Sequence, residues 1–129
     1  MARRVTINFT NRMEIGNDVF LGMGCWLHAV GGIILEDEVL IGPYAMLITG
    51  NHTQIDGSYR FGPPDSAPIR IGCGAWIAAH ATVTKGVVVG SGALLAANSV
   101  ATHEIPAYTS AGGVPAQRIE RKTRIEVVR

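Results

Sequence analysis

The feature that most constrains this chain is a six-residue repeat of aliphatic side chains in its second half. One position of each hexad is apolar throughout: Ile71, Ile77, Val83, Val89, Leu95 and Ala101. A second candidate for an inward position follows each of these after four residues: Ala75, Ala81, Val87, Ala93, Ser99 and Ile105. Because a six-residue unit cannot bury a core by itself, the repeat predicts a solenoid in which each unit is covered by its neighbours.

The spacing inside each hexad predicts short strands. The inward positions are separated by four and then by two residues, and two is the period of a β-strand. Segments such as Ala75–Ile77 and Ala93–Leu95 therefore direct two side chains inward and one outward, and the residues between them form a bend. Five glycines that directly follow an inward aliphatic residue are expected in tight turns: Gly16, Gly22, Gly42, Gly72 and Gly90.

The first half of the chain keeps the repeat less regularly. Its inward residues are predicted to be Phe9, Met13, Ile15, Val19, Leu21, Cys25 and Leu27 and, after a two-residue slip at Gly31–Gly32, Leu35, Val39, Ile41, Ala45 and Leu47. About twelve hexads result, which predicts roughly four coils if three hexads make one turn.

Composition limits the class of protein and its partners. The 129 residues carry a net charge of +1, whereas a nucleic-acid-binding surface calls for a basic chain. No stretch of eighteen apolar residues is present, and no hydrophobic stretch follows Arg3–Arg4, so neither a membrane span nor a signal peptide is predicted. Cys25 takes an inward position and Cys73 an outward one, so no disulfide is expected and the cytoplasm is the predicted location. Residues 1–129 are expected to form one domain.

The repeat breaks once, from Thr49 to Pro68. This segment is polar and contains glycine and proline, which predicts a protruding loop at about residues 49–68. A loop of this size in so regular a scaffold is often functional, because the scaffold is rigid and the loop can project over a neighbouring surface.

The chain resembles the hexapeptide-repeat acyltransferases over nearly its whole length. The resemblance rests on the repeat, on Gly50-Asn51-His52-Thr53, on Ala75-Trp76-Ile77, and on a short C-terminal tail that begins with Thr102-His103-Glu104-Ile105-Pro106 and continues with Gly113-Val114-Pro115-Ala116. It implies an all-β fold, a left-handed parallel β-helix of triangular section. The histidine loop and the tail resemble those of galactoside, maltose and streptogramin O-acetyltransferases. This implies transfer of an acetyl group from acetyl-CoA to a hydroxyl of a carbohydrate or similar small acceptor.

The resemblance assigns catalytic roles to three residues. His52 is the expected general base, because a neutral imidazole can take the proton of the attacking hydroxyl. Asp56 is the nearest acid that can orient this imidazole, although a backbone carbonyl would serve as well. Ala79 matches the residue whose backbone N–H binds the oxyanion of the tetrahedral intermediate.

The resemblance also implies a coenzyme site in a groove between adjacent subunits, with acetyl-CoA as co-substrate. Ala79, Ala97 and Thr102 match positions at which the backbone contacts the coenzyme. Basic residues of the tail are expected to attract its phosphates: Arg118, Arg121 and Lys122. One departure is His103, which stands where many relatives have lysine.

The acceptor site is predicted on the loop and an early coil. Asn51, Met23 and Trp26 are the expected contacts, and an outward Trp26 fits a subunit interface equally well. The early coil lacks the Asn and Asp with which sugar-acetylating relatives hold substrate hydroxyls.

A homotrimer with active sites between subunits is the expected assembly, because Trp76 and Leu94 point outward from flat faces. Two alternatives remain open. A non-catalytic β-helix scaffold leaves the histidine loop and the Pro-Ala tail unexplained. A zinc enzyme of the γ-carbonic anhydrase type needs two histidines five residues apart, and the partner position of His80 is occupied by Lys85; no metal site is predicted.

Overall fold

A computed structural model describes residues 2–120 of the chain. Within this range the backbone forms short strands, turns and one 3-10 turn, Thr10–Arg12, and no helix is long and apolar enough to cross a membrane. In chain order the strands are β1 (Thr6–Asn8), β2 (Met13–Ile15), β3 (Phe20–Leu21), β4 (Trp26–His28), β5 (Ile33–Leu35), β6 (Leu40–Ile41), β7 (Met46–Ile48), β8 (Gly50–His52), β9 (Pro64–Ser66), β10 (Ile69–Ile71), β11 (Trp76–Ile77), β12 (Thr82–Val83), β13 (Val88–Val89), β14 (Leu94–Leu95), β15 (Val100–Ala101), β16 (Ser110–Gly112) and β17 (Gln117–Ile119).

The strands stack into three parallel sheets, which form the three faces of a coil. Face A contains β1, β4, β7, β12 and β15; face B contains β2, β5, β10 and β13; face C contains β3, β6, β11, β14 and β16. The chain visits faces B, C and A in turn, so the predicted parallel β-helix is confirmed. Only two pairs in the described range are antiparallel, namely β17 on β16 and the hairpin formed by β8 and β9.

The number of coils exceeds the expectation. Face A holds five strands, so the solenoid makes about five turns rather than four. The first residues add to the solenoid, because Val5 and Ile7 pack against the core. These positions escape the hexad count because the first coil is longer than a regular one: Thr6 pairs with Trp26, twenty positions on.

Two of the expected inward residues are exposed. The expectation for Phe9 is wrong, because it is 46% exposed and left-handed, with a φ of 62°, directly before the 3-10 turn that lengthens the first coil. Ile15 is in register with the buried Leu35, yet it is 48% exposed. Its strand β2 is the edge of face B, so no further coil covers it.

The interior is a continuous row of aliphatic side chains. Every position of the repeat in the second half is buried, as predicted. The polar member, Ser99, accepts a hydrogen bond at its hydroxyl from the N–H of Gly113 at 2.9 Å, so its burial leaves this group paired. Cys25 is fully buried and Cys73 exposed, and both thiols are free, as expected.

The repeat glycines serve close packing of coils and not a left-handed turn. None of the five has a positive φ. A Cβ on Gly72 would lie 2.5 Å from the backbone nitrogen of Ser91, and one on Gly22 would lie 2.7 Å from the carbonyl carbon of Gly42. The left-handed corner residues stand two positions further along the chain: Asp18, Gly24, Tyr44, Gly74 and Gly92.

We predict different outcomes for two substitutions at one corner. Gly72→Ala should lower the free energy of unfolding by about 1–3 kcal/mol, because the new methyl group overpacks the backbone of the next coil. Gly74 has a φ of +70°, and a Cβ added there would meet nothing within 4 Å; Asn tolerates this conformation. Gly74→Asn should therefore cost well under about 1 kcal/mol. Urea unfolding measures both, and equal losses would contradict the packing explanation.

Candidate active site

The segment with His52 leaves the coil as a hairpin whose first residue is firmly anchored. Thr49 is fully buried at the end of β7. Its hydroxyl donates to the carbonyl oxygen of His28 at 2.6 Å and accepts from the N–H of Gly31 at 2.8 Å. In the hairpin itself, His52 stands opposite Pro64. The position of the histidine strand is therefore fixed by a side chain that satisfies backbone groups of the coil below.

The returning strand of the hairpin is tied to the coil above. Lys85 Nζ lies 2.7 Å from Asp65 Oδ2, and both side chains are partly exposed. At such exposure an ion pair contributes little to stability, about 0–1 kcal/mol. Its effect is to restrain the direction of the hairpin.

Asp56 stands in the tight turn at the tip of the loop. Asp56 and Gly57 are both left-handed, with φ of 48° and 77°, and Ile55 and Ser58 bond to each other across them. This is the geometry of a tight two-residue turn, which Asp-Gly favours. Within the described residues, Asp56 makes no hydrogen bond to His52. Its orienting role stays a prediction.

Asn51 and His52 leave β8 on opposite sides, because side chains alternate along a strand. Asn51 lines a groove of about 360 Å³ together with Thr82, Thr84 and Lys85 of the coil above. His52 shares its side of the strand with Gly50, at which a Cβ would meet Val30 and His28 of the coil below. The loop therefore presents its base and its amide to different coils.

Ala79 and Ala97 line one apolar groove on face C. The groove has a volume of about 400 Å³, and its other lining residues are Trp76, Ala78, Leu94, Ala96, Ile119 and Glu120. The backbone N–H groups of Ala79 and Ala97 donate to no acceptor in the described part of the chain. Two available N–H donors therefore lie beside an apolar trough.

The remaining coenzyme candidates lie elsewhere. Arg118 and His103 line a second groove, of about 350 Å³, at the C-terminal end. Thr102 lies next to it, with its hydroxyl 3.0 Å from Nδ1 of His103. Arg121 and Lys122 lie outside the described residues. The groove with Ala79 and Ala97 is thus separate from the one with Arg118.

Of the acceptor candidates, Trp26 belongs to a side-chain network and Met23 does not. Met23 lies in the turn before β4 and is 42% exposed. Trp26 Nε1 donates to Asn8 Oδ1 at 2.5 Å, and the same oxygen lies 3.3 Å from Nδ1 of His28. The sequence predictions placed neither Asn8 nor His28 in the acceptor site, because the two residues meet only through the twenty-residue first coil.

Two other titratable groups of the described coils, Glu36 and Cys25, are already paired or buried. A groove of about 450 Å³ between faces B and C contains Glu36, but this carboxylate accepts from Arg70 and from the N–H of Cys73. The hydrogen bond from Arg70, with that from Cys73, lowers the pKa of Glu36. Burial raises the pKa of the Cys25 thiol, which suits a core residue and not a nucleophile. Residues 2–120 contain no group of three or more His, Cys, Asp or Glu placed to hold a metal.

His52 and Ala79 lie at opposite edges of face A. Ala79 stands at the corner between faces C and A, three residues before β12. The far end of β12 leads to Lys85, to which the hairpin is tied. Six residues of nearly extended chain span roughly 15–20 Å. One chain by itself therefore does not bring the base and the oxyanion donor to one point.

Comparison with known proteins establishes the family. A family model described as the hexapeptide repeat of succinyl-transferase matches residues 13–42 and 68–103, just over half of the chain. The chain belongs to this hexapeptide-repeat family, and its fold is the left-handed β-helix predicted from the sequence.

Several acetyltransferases are similar to the chain. Galactoside O-acetyltransferase of Escherichia coli (strain K12) is 28% identical over 115 residues, which cover 89% of this chain and 57% of that protein. A hexapeptide-repeat acetyltransferase of Vibrio cholerae O1 biovar eltor, crystallised with acetyl coenzyme A, is 28% identical with a TM-score of 0.85 and covers 93% of this chain and 66% of its own. A maltose O-acetyltransferase of Clostridium difficile 630 is 26% identical with a TM-score of 0.84, and the coverage is 93% and 64%. The chain thus spans less than two thirds of the length of each.

We predict that Thr49 stabilises the fold through its hydroxyl and not its shape. Thr49→Val keeps the volume but leaves the partly buried N–H of Gly31 without its acceptor, so the free energy of unfolding should fall by about 1–3 kcal/mol. Thr49→Ser keeps the hydroxyl and should lose distinctly less. Chemical denaturation compares the two, and a larger loss for the serine variant would show that the methyl group matters more than the hydrogen bonds.

Proposed function

We propose that the protein is an acetyl-CoA-dependent O-acetyltransferase that acetylates a hydroxyl of a carbohydrate or similar small acceptor. The observation that carries the proposal is the face C groove, where Ala79 and Ala97 offer unpaired N–H groups beside an apolar trough. Backbone N–H donors suit the carbonyl oxygens of a pantetheine arm, and the apolar walls suit its methylene groups. The acetyltransferases named above, one of them crystallised with acetyl coenzyme A, support the same co-substrate.

In the proposed reaction, His52 takes the proton of the acceptor hydroxyl while the oxygen attacks the carbonyl carbon of the thioester. The N–H of Ala79 donates to the oxyanion of the tetrahedral intermediate. When the intermediate collapses, the carbon–sulfur bond breaks. The leaving thiolate of CoA then takes the proton from His52, which returns the imidazole to its neutral form. The products are the acetyl ester and free CoA. Asp56 or a backbone carbonyl would orient the imidazole.

The remaining residues have supporting roles in this proposal. The backbones of Ala97 and Thr102 contact the coenzyme, and the phosphates are attracted by the basic tail, Arg118, Arg121 and Lys122. Arg118 lies in the groove next to that of Ala97 on the same end of the solenoid, which is compatible with a ligand that extends past β17. Asn51, Met23 and Trp26 contact the acceptor. A cytoplasmic location stays a prediction, with which the free thiols of Cys25 and Cys73 are compatible.

The proposed assembly is a homotrimer with its active sites between chains. The separation of His52 from Ala79 within one chain supports it, since a neighbouring copy can supply the missing partner. A row of apolar side chains on the outside of face C also supports it: Phe20, Leu40, Trp76 and Leu94 stand in register on successive strands. Such a patch on a rigid, flat face favours burial against another chain.

We predict that His52→Ala lowers turnover by about two to four powers of ten while leaving the affinity for acetyl-CoA nearly unchanged. The measurement is acceptor-dependent thiol release from acetyl-CoA with a panel of sugars, nucleotide sugars and small alcohols. Gln54→Ala is the matched control, because Gln54 is an exposed residue of the same loop. Absence of thiol release by the wild-type protein with every acceptor would support the scaffold alternative, and unchanged turnover of His52→Ala would remove His52 from the mechanism.

The assembly has its own test. Light scattering should give the mass of three chains, and Leu40→Glu should shift it toward one chain by placing a charge in the apolar row. Val88→Glu is the matched control: Val88 is equally exposed, at 39%, but lies on face B beside Arg70. A wild-type monomer at micromolar concentration would contradict the trimer, and dissociation by both variants would contradict the assignment of the interface to face C.

A further inference from the structure

The network of Asn8, Trp26 and His28 fixes the protonation of one histidine. Asn8 Oδ1 lies 2.5 Å from Nε1 of Trp26 and 3.3 Å from Nδ1 of His28. An indole N–H is only a donor, so the atom of Asn8 that faces it has to be the oxygen. This oxygen can form a hydrogen bond with Nδ1 of His28 only if Nδ1 is the donor. Nδ1 therefore carries the proton. In the neutral ring, Nε2 is then an unprotonated acceptor.

The ring of His28 contacts two aromatic rings. Phe9 contacts it edge to face, with ring centroids 5.5 Å apart, and Trp26 does the same at 6.2 Å. Side chains held by aromatic neighbours and one hydrogen bond have few alternative rotamers. His28 therefore presents Nε2 in a defined direction.

Nε2 of His28 is available to a ligand. It makes no hydrogen bond to any described residue. No buried side-chain nitrogen or oxygen in the described range lacks a partner, so this unpaired nitrogen is reachable from solvent. An acceptor atom that is preorganised but unused within its own chain is suited to bind a donor from outside.

Nε2 also faces the side of the hairpin from which His52 projects. A Cβ on Gly50 would lie 3.7 Å from Nε2 of His28. Gly50 and His52 are two positions apart on β8, so their side chains point the same way, separated by roughly 7 Å along the strand. The two imidazoles therefore flank one space below the hairpin, and Trp26, 42% exposed, stands two residues before His28 on the same side of β4.

We propose that His28 is a specificity-determining residue that binds a second hydroxyl of the acceptor. Its Nε2 accepts a hydrogen bond from a hydroxyl on a carbon that is not adjacent to the acetylated one, and the ring carbons of the acceptor pack on Trp26. The acceptor class is thus a polyol or pyranose and not a simple alcohol. This inference rests on the proposed acetyl transfer, with His52 acting on the reacting hydroxyl.

The first test needs no substrate. Imidazole nitrogen NMR of the intact protein at mildly alkaline pH should reveal one histidine protonated on Nδ1 and bare on Nε2. Its signals should vanish in His28→Asn, which assigns them. In Asn8→Leu the ring should shift toward the commoner Nε2–H form. A wild-type His28 protonated on Nε2 would overturn the proposal, because Nε2 would then be a donor.

The second test uses two substitutions that separate the contributions of the two ring nitrogens of His28. His28→Asn keeps a polar group near the position of Nδ1 but removes the Nε2 end, whereas His28→Gln keeps an amide near Nε2. With the best acceptor among methyl α-glucopyranoside, methyl β-galactopyranoside and methyl α-mannopyranoside, His28→Asn should raise the acceptor KM roughly 3- to 10-fold, the worth of one neutral hydrogen bond. His28→Gln should stay within about twofold of wild type, and neither should change the KM for acetyl-CoA. Equal losses in both would assign His28 a structural role only.

The two proposals fail in different ways. If the wild-type protein releases no thiol with any glycoside, acetyl transfer to this class is contradicted, and the same glycosides are then titrated while the Nε2 signal of His28 is followed. A saturable shift that is absent in Trp26→Ala supports the hydroxyl site independently of turnover. An unmoved signal at the highest glycoside concentration overturns it.

Discussion

The structure depends on the hydrogen-bonded stacking of one coil on the next. Parallel strands lie about 4.8 Å apart, and this spacing decides which residues fit at each level. Inward positions hold compact and mostly aliphatic side chains, since each is covered above and below by an equivalent one, and the exception Ser99 is paired with the N–H of Gly113. At corners such as Gly22, the carbonyl carbon of Gly42 would lie 2.7 Å from a Cβ. A side chain added there overpacks against the next coil and weakens the stacking.

The same ladder explains why the candidate oxyanion donor needs no particular side chain. At this corner the left-handed residue donates its N–H to the coil below: Tyr44 to Met23, His80 to Pro43, and Asn98 to Ala79. The residue before it has no such acceptor. Ala79 therefore keeps a free N–H while its carbonyl is used by Asn98. The fold itself generates outward donors, which explains how a rigid scaffold with alanine at these positions can offer polar chemistry.

How far the sequence predicts this molecule depends on the regularity of each coil. Val83 and Leu95 are correctly assigned to the core because paired residues there are eighteen positions apart, as for Trp76 and Leu94. Phe9 is misassigned because a 3-10 turn changes the register of the first coil. That change also hides the contact of Asn8 with His28. Hexad counting has no information on inserted residues, so the site residues that depend on them are found only in three dimensions.

Regular coils and longer coils contribute different kinds of chemical group to the candidate site. Regular coils supply the groove with Ala79 and Ala97, where donors come from the backbone and tolerate changes of side chain. The longer first coils supply Trp26 and His28, whose chemistry depends entirely on side-chain identity. The hairpin presents His52 toward these early coils. It thus lies between the groove whose donors are backbone N–H groups and the surface whose chemistry comes from the side chains of Trp26 and His28. Under the proposed function, substitutions in the first coils would alter which acceptor is bound without disturbing the groove proposed for the acetyl donor.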